Sequence, residues 1–352
     1  MSHSGHSEIE RELAELAGLA ELAELAGLAK SAGPMGLAGR AESAGLAGQA
    51  GVGSPAGRPT SSPASSPASS PEEVARTILR RRVERRRDLT LVRLAGPYYL
   101  VIACDSDGGI GPKPRDTVRV PGYLVGRFAA RVPLMEMLAS GARPLVLVDT
   151  LSVELEPTGK EIIEGVRSEA GLAGIEGEGA VTGSTEDNVP TVATGVGVTV
   201  IGLAEQHRLR AGTAAPDDII AAVGVPKSAP GDAVTIDDPE IADVPTVMKL
   251  AHMAMVHDIL PVGSKGIEYE ARQMAASAGL GVILTPDLSL DIRKSAGPAT
   301  CVLVSVAAAA GKDGDAARRT RRALDEIHRA VGKPVALVGR LTPDGGDPAR
   351  SR

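Results

Sequence analysis

Aromatic side chains are almost missing from this chain. It has no Trp, a single Phe at Phe128, and Tyr only at Tyr98, Tyr99, Tyr123 and Tyr269. Val, Ile, Leu, Ala and Met must therefore fill the core, and aromatic stacking on bases is a poor explanation for any ligand site. Cysteine is as scarce. Cys104 and Cys301 stand alone, without C-x-x-C spacing or a disulfide framework, and both are expected to pack in the core. No uncharged run reaches the length of a membrane span. The N-terminus mixes acidic residues with interrupted apolar ones, unlike a signal peptide. A cytoplasmic protein without a membrane partner is expected. The net charge of −6 argues against a general nucleic-acid binder.

Low complexity dominates the start of the 352 residues. Glu12–Ala20 reads ELAELAGLA and Glu21–Ala29 repeats it residue for residue. Apolar residues at two positions in three wind around a helix and leave no persistent face. Ser61–Pro71 is a Pro/Ser linker. Residues 1–71 therefore read as a low-complexity, disordered extension, with a partner-binding helix at Ile9–Ala29 as the open alternative. Glu72–Asp88 has helical propensity and seven arginines; a solvated face is preferred over a phosphate contact.

From Asp88 the pattern alternates. Strands are expected at Leu89–Leu94 and Tyr98–Cys104, joined as a hairpin, then at Leu145–Leu155 and Thr191–Leu203. Helices are expected at Gly126–Ala139 and Lys160–Ala173. A second block predicts strands at Asp218–Val225, Gly281–Leu284, Cys301–Ala307 and Val335–Gly339. Its helices are Val244–His257, Gly266–Ala278 and Gly314–Val331. This order predicts an α+β protein of two domains, 72–215 and 216–341, with a frayed tail over 342–352.

Three motifs in the first block suit phosphate and metal chemistry. Cys104–Gly111 (CDSDGGIG) ends an apolar strand with Asp105, Asp107 and the glycines Gly108 and Gly109. Carboxylates hold hard cations, and glycines let backbone N–H groups approach an anion. Gly126–Asp149 gives a helix bearing Glu136, a Gly141-Ala142-Arg143-Pro144 turn and a strand reaching Asp149. Thr182–Pro190 (TGSTEDNVP) is a further acidic turn leading into a Val-rich strand. Acids from three separated elements are thus candidates to share metal ions.

In order, these motifs resemble the ATP-binding superfamily of aminoimidazole ribonucleotide synthase, thiamine-monophosphate kinase and selenophosphate synthetase. In that family an acidic DG turn precedes a helix Asp, an A-x-G-A-x-P turn, and a Gly-Gly-acid turn. Asp105 and Asp107 match the first turn, Glu136 replaces the helix Asp, and Asp149 ends the next strand. Gly183-Ser184-Thr185 departs from the third motif, leaving its acids at Glu186 and Asp187. Leu209–Gly224 is similar to the family's entry into a second domain. The strings TGSTEDNVPT, VGVPKSAPGDAVTIDDPEI and HDILPVGSKGIEYEA resemble the α-ribazole kinase branch most.

The resemblance implies an α+β fold with an N-terminal α/β domain that lends strands to a dimeric β-barrel, hence a homodimer. It implies ATP and Mg²⁺ as cofactors and phosphorylation of a small hydroxyl, the 5′-hydroxyl of α-ribazole. Asp105 and Asp107 would be catalytic; with Glu136, Asp149 and Glu186 or Asp187 they would hold metal. Gly108, Gly109, Lys113, Arg127, Gly183, Ser184, Thr185 and Asn188 would contact nucleotide. His257, Ser264 and Lys265 would meet the acceptor, His257 as a base or a contact. An ATP-dependent synthase activating an amide oxygen, or a non-catalytic nucleotide-binding module, stays open beside the kinase.

Overall fold

Alternating apolar residues build two sheets in the computed structural model, which describes residues 82–343 apart from Ala95, Glu178, Asp287 and 308–315. The first half holds β1 (Val83–Arg86), β2 (Leu89–Arg93), β3 (Tyr98–Gly108) and the short pair β4 (Ile110–Gly111) and β5 (Val118–Arg119). Helix α1 (Gly122–Ala139), β6 (Arg143–Leu151), α2 (Lys160–Leu172), β7 (Val181–Ser184) and β8 (Gly195–Glu205) complete it. The main sheet runs β1-β2-β3-β8-β6-β7, antiparallel except for β6 beside β7. In the second half are β9 (Ile219–Val223), α3 (Val244–Ala251), β10 (Val256–Pro261), α4 (Gly266–Ser277), β11 (Gly281–Leu284), β12 (Val302–Val306), α5 (Ala316–Val331) and β13 (Val335–Thr342). Its sheet, β10-β12-β9-β13-β11, is antiparallel throughout. The architecture is α+β.

Period-two patterning decides which face each side chain meets. On β3 and β8, Tyr99, Val101, Ala103, Val196, Val198 and Val200 are buried, and α1 packs against both strands. The opposite face carries Val92, Leu100, Ile102, Val146, Val148, Ile201 and Leu203, all only half-buried. Their registers align them in rows: Val92 beside Leu100 beside Leu203, and Ile102 beside Ile201 beside Val146. Cys104 shares this face and is exposed, whereas Cys301 is buried. The core position expected for Cys104 is thereby corrected: Asp105, one residue on, takes the other side of the strand.

Helices α1 and α2 approach closely because glycine removes the obstacle. A Cβ on Gly126 would lie 1.9 Å from the Ile162 carbonyl oxygen, and one on Gly165 would lie 2.1 Å from that of Tyr123. The turn after α1 also requires glycine. Gly141 has φ +83°, and a Cβ there would sit 2.0 Å from the Arg208 carbonyl oxygen.

Three local expectations change. Glu72–Asp88, expected as a helix, is a strand over Val83–Arg86; its residues before Arg82 lie outside the described residues, as do residues 1–71 and the tail beyond 343. Pairing with β2 across Arg87-Asp88 overrides helical propensity. The acidic turn is instead the last part of β3, because β8 supplies partners as far as Gly108. The Met-rich helix ends at Ala251, and His257 belongs to β10.

Candidate functional site

Four carboxylates from four elements converge at the boundary between the two sheets. Asp105 comes from β3, Glu136 from α1, Asp88 from the β1–β2 turn and Glu270 from α4. Glu136 is pushed up to about 8, chiefly by burial and then by the charges of Asp88, Asp105 and Glu270. Its Oε2 is buried without a hydrogen-bond partner. Burial, followed by the Asp88 charge, lifts Glu270 to about 7, against the Gly263 amide, Arg87 and Lys265. Asp105 is raised by burial and Asp88, with the Ser106 amide opposing. Asp107 rises to about 6 through burial and its neighbour Asp105. A small, open cleft includes Arg87, Asp88, Glu136, Ser140, Ala211, Ile259 and Pro261 in its lining.

The nearest cation does not neutralise this group. Arg87 takes a left-handed backbone, φ 56°. Its guanidinium donates to both oxygens of Asp258, at 3.0 Å for Oδ1, and to Ser277. Asp258 is fully buried and also accepts from the Gly212 amide at 3.0 Å. This pair ties the β1–β2 turn to β10, and no cation opposes the upward shifts of Glu136 and Asp105.

Asp149 lies in the same cross-strand row as Asp105, since each pairs with Val198 from opposite sides. Two strand spacings put their backbones about 10 Å apart. Asp149 is 3% exposed, its Oδ2 has no partner, and burial raises it against the pull of Arg167. It sits in a notch left by Gly183, where a Cβ would come within 1.7 Å of Oδ1.

The third acidic motif is committed to its own loop. Asp187 accepts from the Thr185 hydroxyl at 2.7 Å and the Leu155 amide at 3.0 Å, and both hold it below the usual carboxylate range. Glu186 caps the amides of Asn188 at 2.8 Å and Val189 at 3.2 Å. Gly183 and Ser184 close β7. Gly108 ends β3, and Gly109 donates its N–H to the Thr194 carbonyl at 2.9 Å.

The expected phosphate cations already have partners. Lys113 pairs with Glu154, which also accepts from Thr158 at 2.6 Å and is held down at about 2 by these bonds. Arg127 donates to Glu169 at 2.5 Å and to the Tyr123 hydroxyl at 3.1 Å, while buried Arg131 donates to the other Glu169 oxygen at 2.8 Å. Arg127 thus braces α1 against α2. Lys265 lies over the Tyr269 ring at 4.2 Å and Ser264 is exposed. The first turn of α4 gives its Glu268 amide to the Ile292 carbonyl at 2.9 Å. His257 faces Asp218 through Nδ1.

Asp88 escapes the motifs altogether, and Asp218, Asp258 and Glu270 lie inside the family-like segments without having been given a role. A glycine-flanked acid marks none of them; each gains its setting from an element far away in the chain. Among the described residues no three His, Cys, Asp or Glu side chains are gathered closely enough to hold a metal ion. The donor chemistry nonetheless fits Mg²⁺. Hard oxygens are present, one is orphaned and buried, and this ion commonly takes only one or two carboxylates, with water and phosphates completing its shell.

The family profile described as AIR synthase related protein, N-terminal domain, matches residues 86–204. No match is found among curated proteins. Among solved structures, the thiamine-monophosphate kinase from Stenotrophomonas maltophilia K279a is similar at 18% identity and TM-score 0.50, over 76% of this chain and 91% of that one. PurLQS from Thermotoga maritima is similar at 18% identity and TM-score 0.50, over 75% of this chain and 44% of that one. No helix among the described residues is long and apolar enough to cross a membrane. Residues 86–204 thus match the N-terminal domain profile of AIR synthase related proteins, and the wider fold is similar to that of these two solved structures.

Proposed function

We infer that this protein is an ATP- and Mg²⁺-dependent enzyme that transfers the γ-phosphoryl group to a small-molecule hydroxyl, with the 5′-hydroxyl of α-ribazole as the acceptor. The observation that carries the reading is the acidic group of Asp105, Glu136 and Glu270, with Asp88 beside it. Acids gathered without a cation raise one another's affinity for positive charge, and perturbed groups of this kind cluster at functional sites. Phosphoryl transfer asks mainly for positioning and charge neutralisation. One or two of Asp105, Asp107 and Glu136 would hold Mg²⁺, with phosphate and water oxygens completing its shell. When bound, the ion offsets the charge of the nucleotide phosphates. The backbone around Gly108 and Gly109 leaves room for an anion, and Asp149 in its Gly183 notch offers a further oxygen. Lys113 would exchange Glu154 for a phosphate oxygen.

A homodimer is part of this reading. The half-buried apolar rows on the open face of the first sheet supply a surface for a second copy, consistent with strands from both protomers closing a barrel. The synthase alternative uses the same phosphates and carboxylates, and the family match favours it as much. A stable phosphorylated acceptor separates the two. Incubation with ATP, Mg²⁺ and α-ribazole, with thiamine monophosphate and acceptor-free controls, is expected to yield α-ribazole monophosphate by mass spectrometry. Asp105→Asn should abolish it. ADP formation with an amide substrate and no phosphorylated alcohol would replace the kinase by the synthase.

A further inference from the structure

Among the described residues, one histidine is paired with a buried carboxylate. His252 and His328 turn Nδ1 to backbone carbonyls, of Met248 and Lys333, each at 2.7 Å. His207 turns Nδ1 to the Glu205 carboxylate at 3.1 Å, but both side chains are exposed. His257 instead places Nδ1 against both oxygens of Asp218, at 2.9 and 3.1 Å. The Asp218 side chain is 3% exposed and that of His257 is 36% exposed. Asp218 is itself fixed: its Oδ2 accepts from the Ala215 amide at 2.9 Å, and its carbonyl accepts from Leu341 at 2.8 Å.

The backbone supports the same arrangement. His257 is the extra residue where the β10–β12 register shifts between Val256 and Asp258. Such bulges re-aim a side chain. The Thr213 hydroxyl holds the His257 carbonyl at 2.7 Å. A carboxylate on Nδ1 keeps the proton there and leaves a lone pair on Nε2, on the side of the ring away from the buried acid. Ile259, two residues or about 7 Å along β10, lines the cleft with Asp88 and Glu136. Asp258, the next residue, binds Arg87 beside Asp88.

We propose that His257 accepts the proton of the attacking hydroxyl, and that Asp218 is the positioning residue that fixes its ring. This rests on the kinase reading. In the step, the acceptor O–H gives its proton to Nε2 while its oxygen bonds to the γ-phosphorus of ATP. The bond from that phosphorus to the β,γ-bridging oxygen breaks, and ADP leaves with the electron pair. The Asp218 carboxylate stabilises the imidazolium, which then returns its proton to water.

The test uses the full chain with Mg²⁺, ATP and α-ribazole. His257→Gly should lower kcat about 10²-fold or more with the KM for ATP unchanged, and added imidazole should restore turnover. Asp218→Asn should lower kcat with the same KM, and ¹H–¹⁵N spectra of the ring should show the proton moving from Nδ1 to Nε2. Circular dichroism and ATP binding identify a variant that has simply failed to fold, in which case His257→Gln and the wild-type ring spectrum decide. Wild-type-like turnover by a folded His257 variant, a loss that imidazole does not restore, or a wild-type ring protonated on Nε2 overturns the assignment while the kinase reading stands. Absence of phosphorylated product from the wild-type protein overturns the kinase reading, and the assignment with it.

Discussion

Glu136→Gln should stabilise the protein in alkaline, chelator-treated buffer and do little in acid. In the folded protein Glu136 binds its proton up to about pH 8, against 4.5 ordinarily. The fold is therefore unburdened below the unfolded value and loses stability as pH rises through the folded one. A difference of 8 − 4.5 = 3.5 pH units, at about 1.4 kcal/mol each, sets a ceiling of about 5 kcal/mol. Glu270 shares the same repulsion, and relaxation lowers the cost, so about half the ceiling is expected to survive. Glutamine keeps the shape and removes the charge. Urea denaturation of both proteins in EDTA should give nearly equal stability at pH 5, with the variant ahead by about 2 kcal/mol at pH 8.5. Mg²⁺ should narrow the gap by stabilising the wild-type protein more. A pH-independent difference, or a variant less stable at pH 8.5, would refute the account of uncompensated charge.

Two further outcomes follow from contacts already described. Arg87→Ala strands the buried Asp258 carboxylate and should cost about 3–5 kcal/mol, read by chemical denaturation; Asp258→Asn keeps the shape and should cost less. Ile201→Asp puts a charge in the middle of the open apolar rows and should convert a dimer to a monomer by light scattering, with the helical content by circular dichroism retained.

Local pattern carries much of the fold. Gly281–Leu284 has the limits its alternation predicts, and Gly266–Ser277 is within one residue of its expected helix. The misplaced elements are those whose partners are remote. Val83–Arg86 looks helical on propensity and becomes a strand only because Leu89–Val92 lies opposite. His257 leaves its expected helix because Val302–Val306 pairs with β10. The site divides in the same way. Asp105, Asp107 and Glu136 stand out because glycines and a helix-to-strand turn flank them. Asp88 and Glu270 join the same group from widely separated parts of the chain, and no local periodicity encodes their meeting. Lys113 and Arg127 read as free cations in one dimension, since Glu154 and Glu169 are brought to them only by folding.

The eleven-residue ladder between β3 and β8, from Tyr98 opposite Glu205 to Gly108 opposite Gly195, also sets an order of events for a chain leaving the ribosome. The β2–β3 hairpin is local and can close early, but the edge of β3 that carries Asp105 has its partner almost a hundred residues downstream. Loop closure over that distance is slow, and the unpaired edge is open to foreign strands until it is achieved. The acids at its end gain their fixed spacing only when β8 arrives, so the metal binding proposed for them should be among the last properties the first half acquires during synthesis.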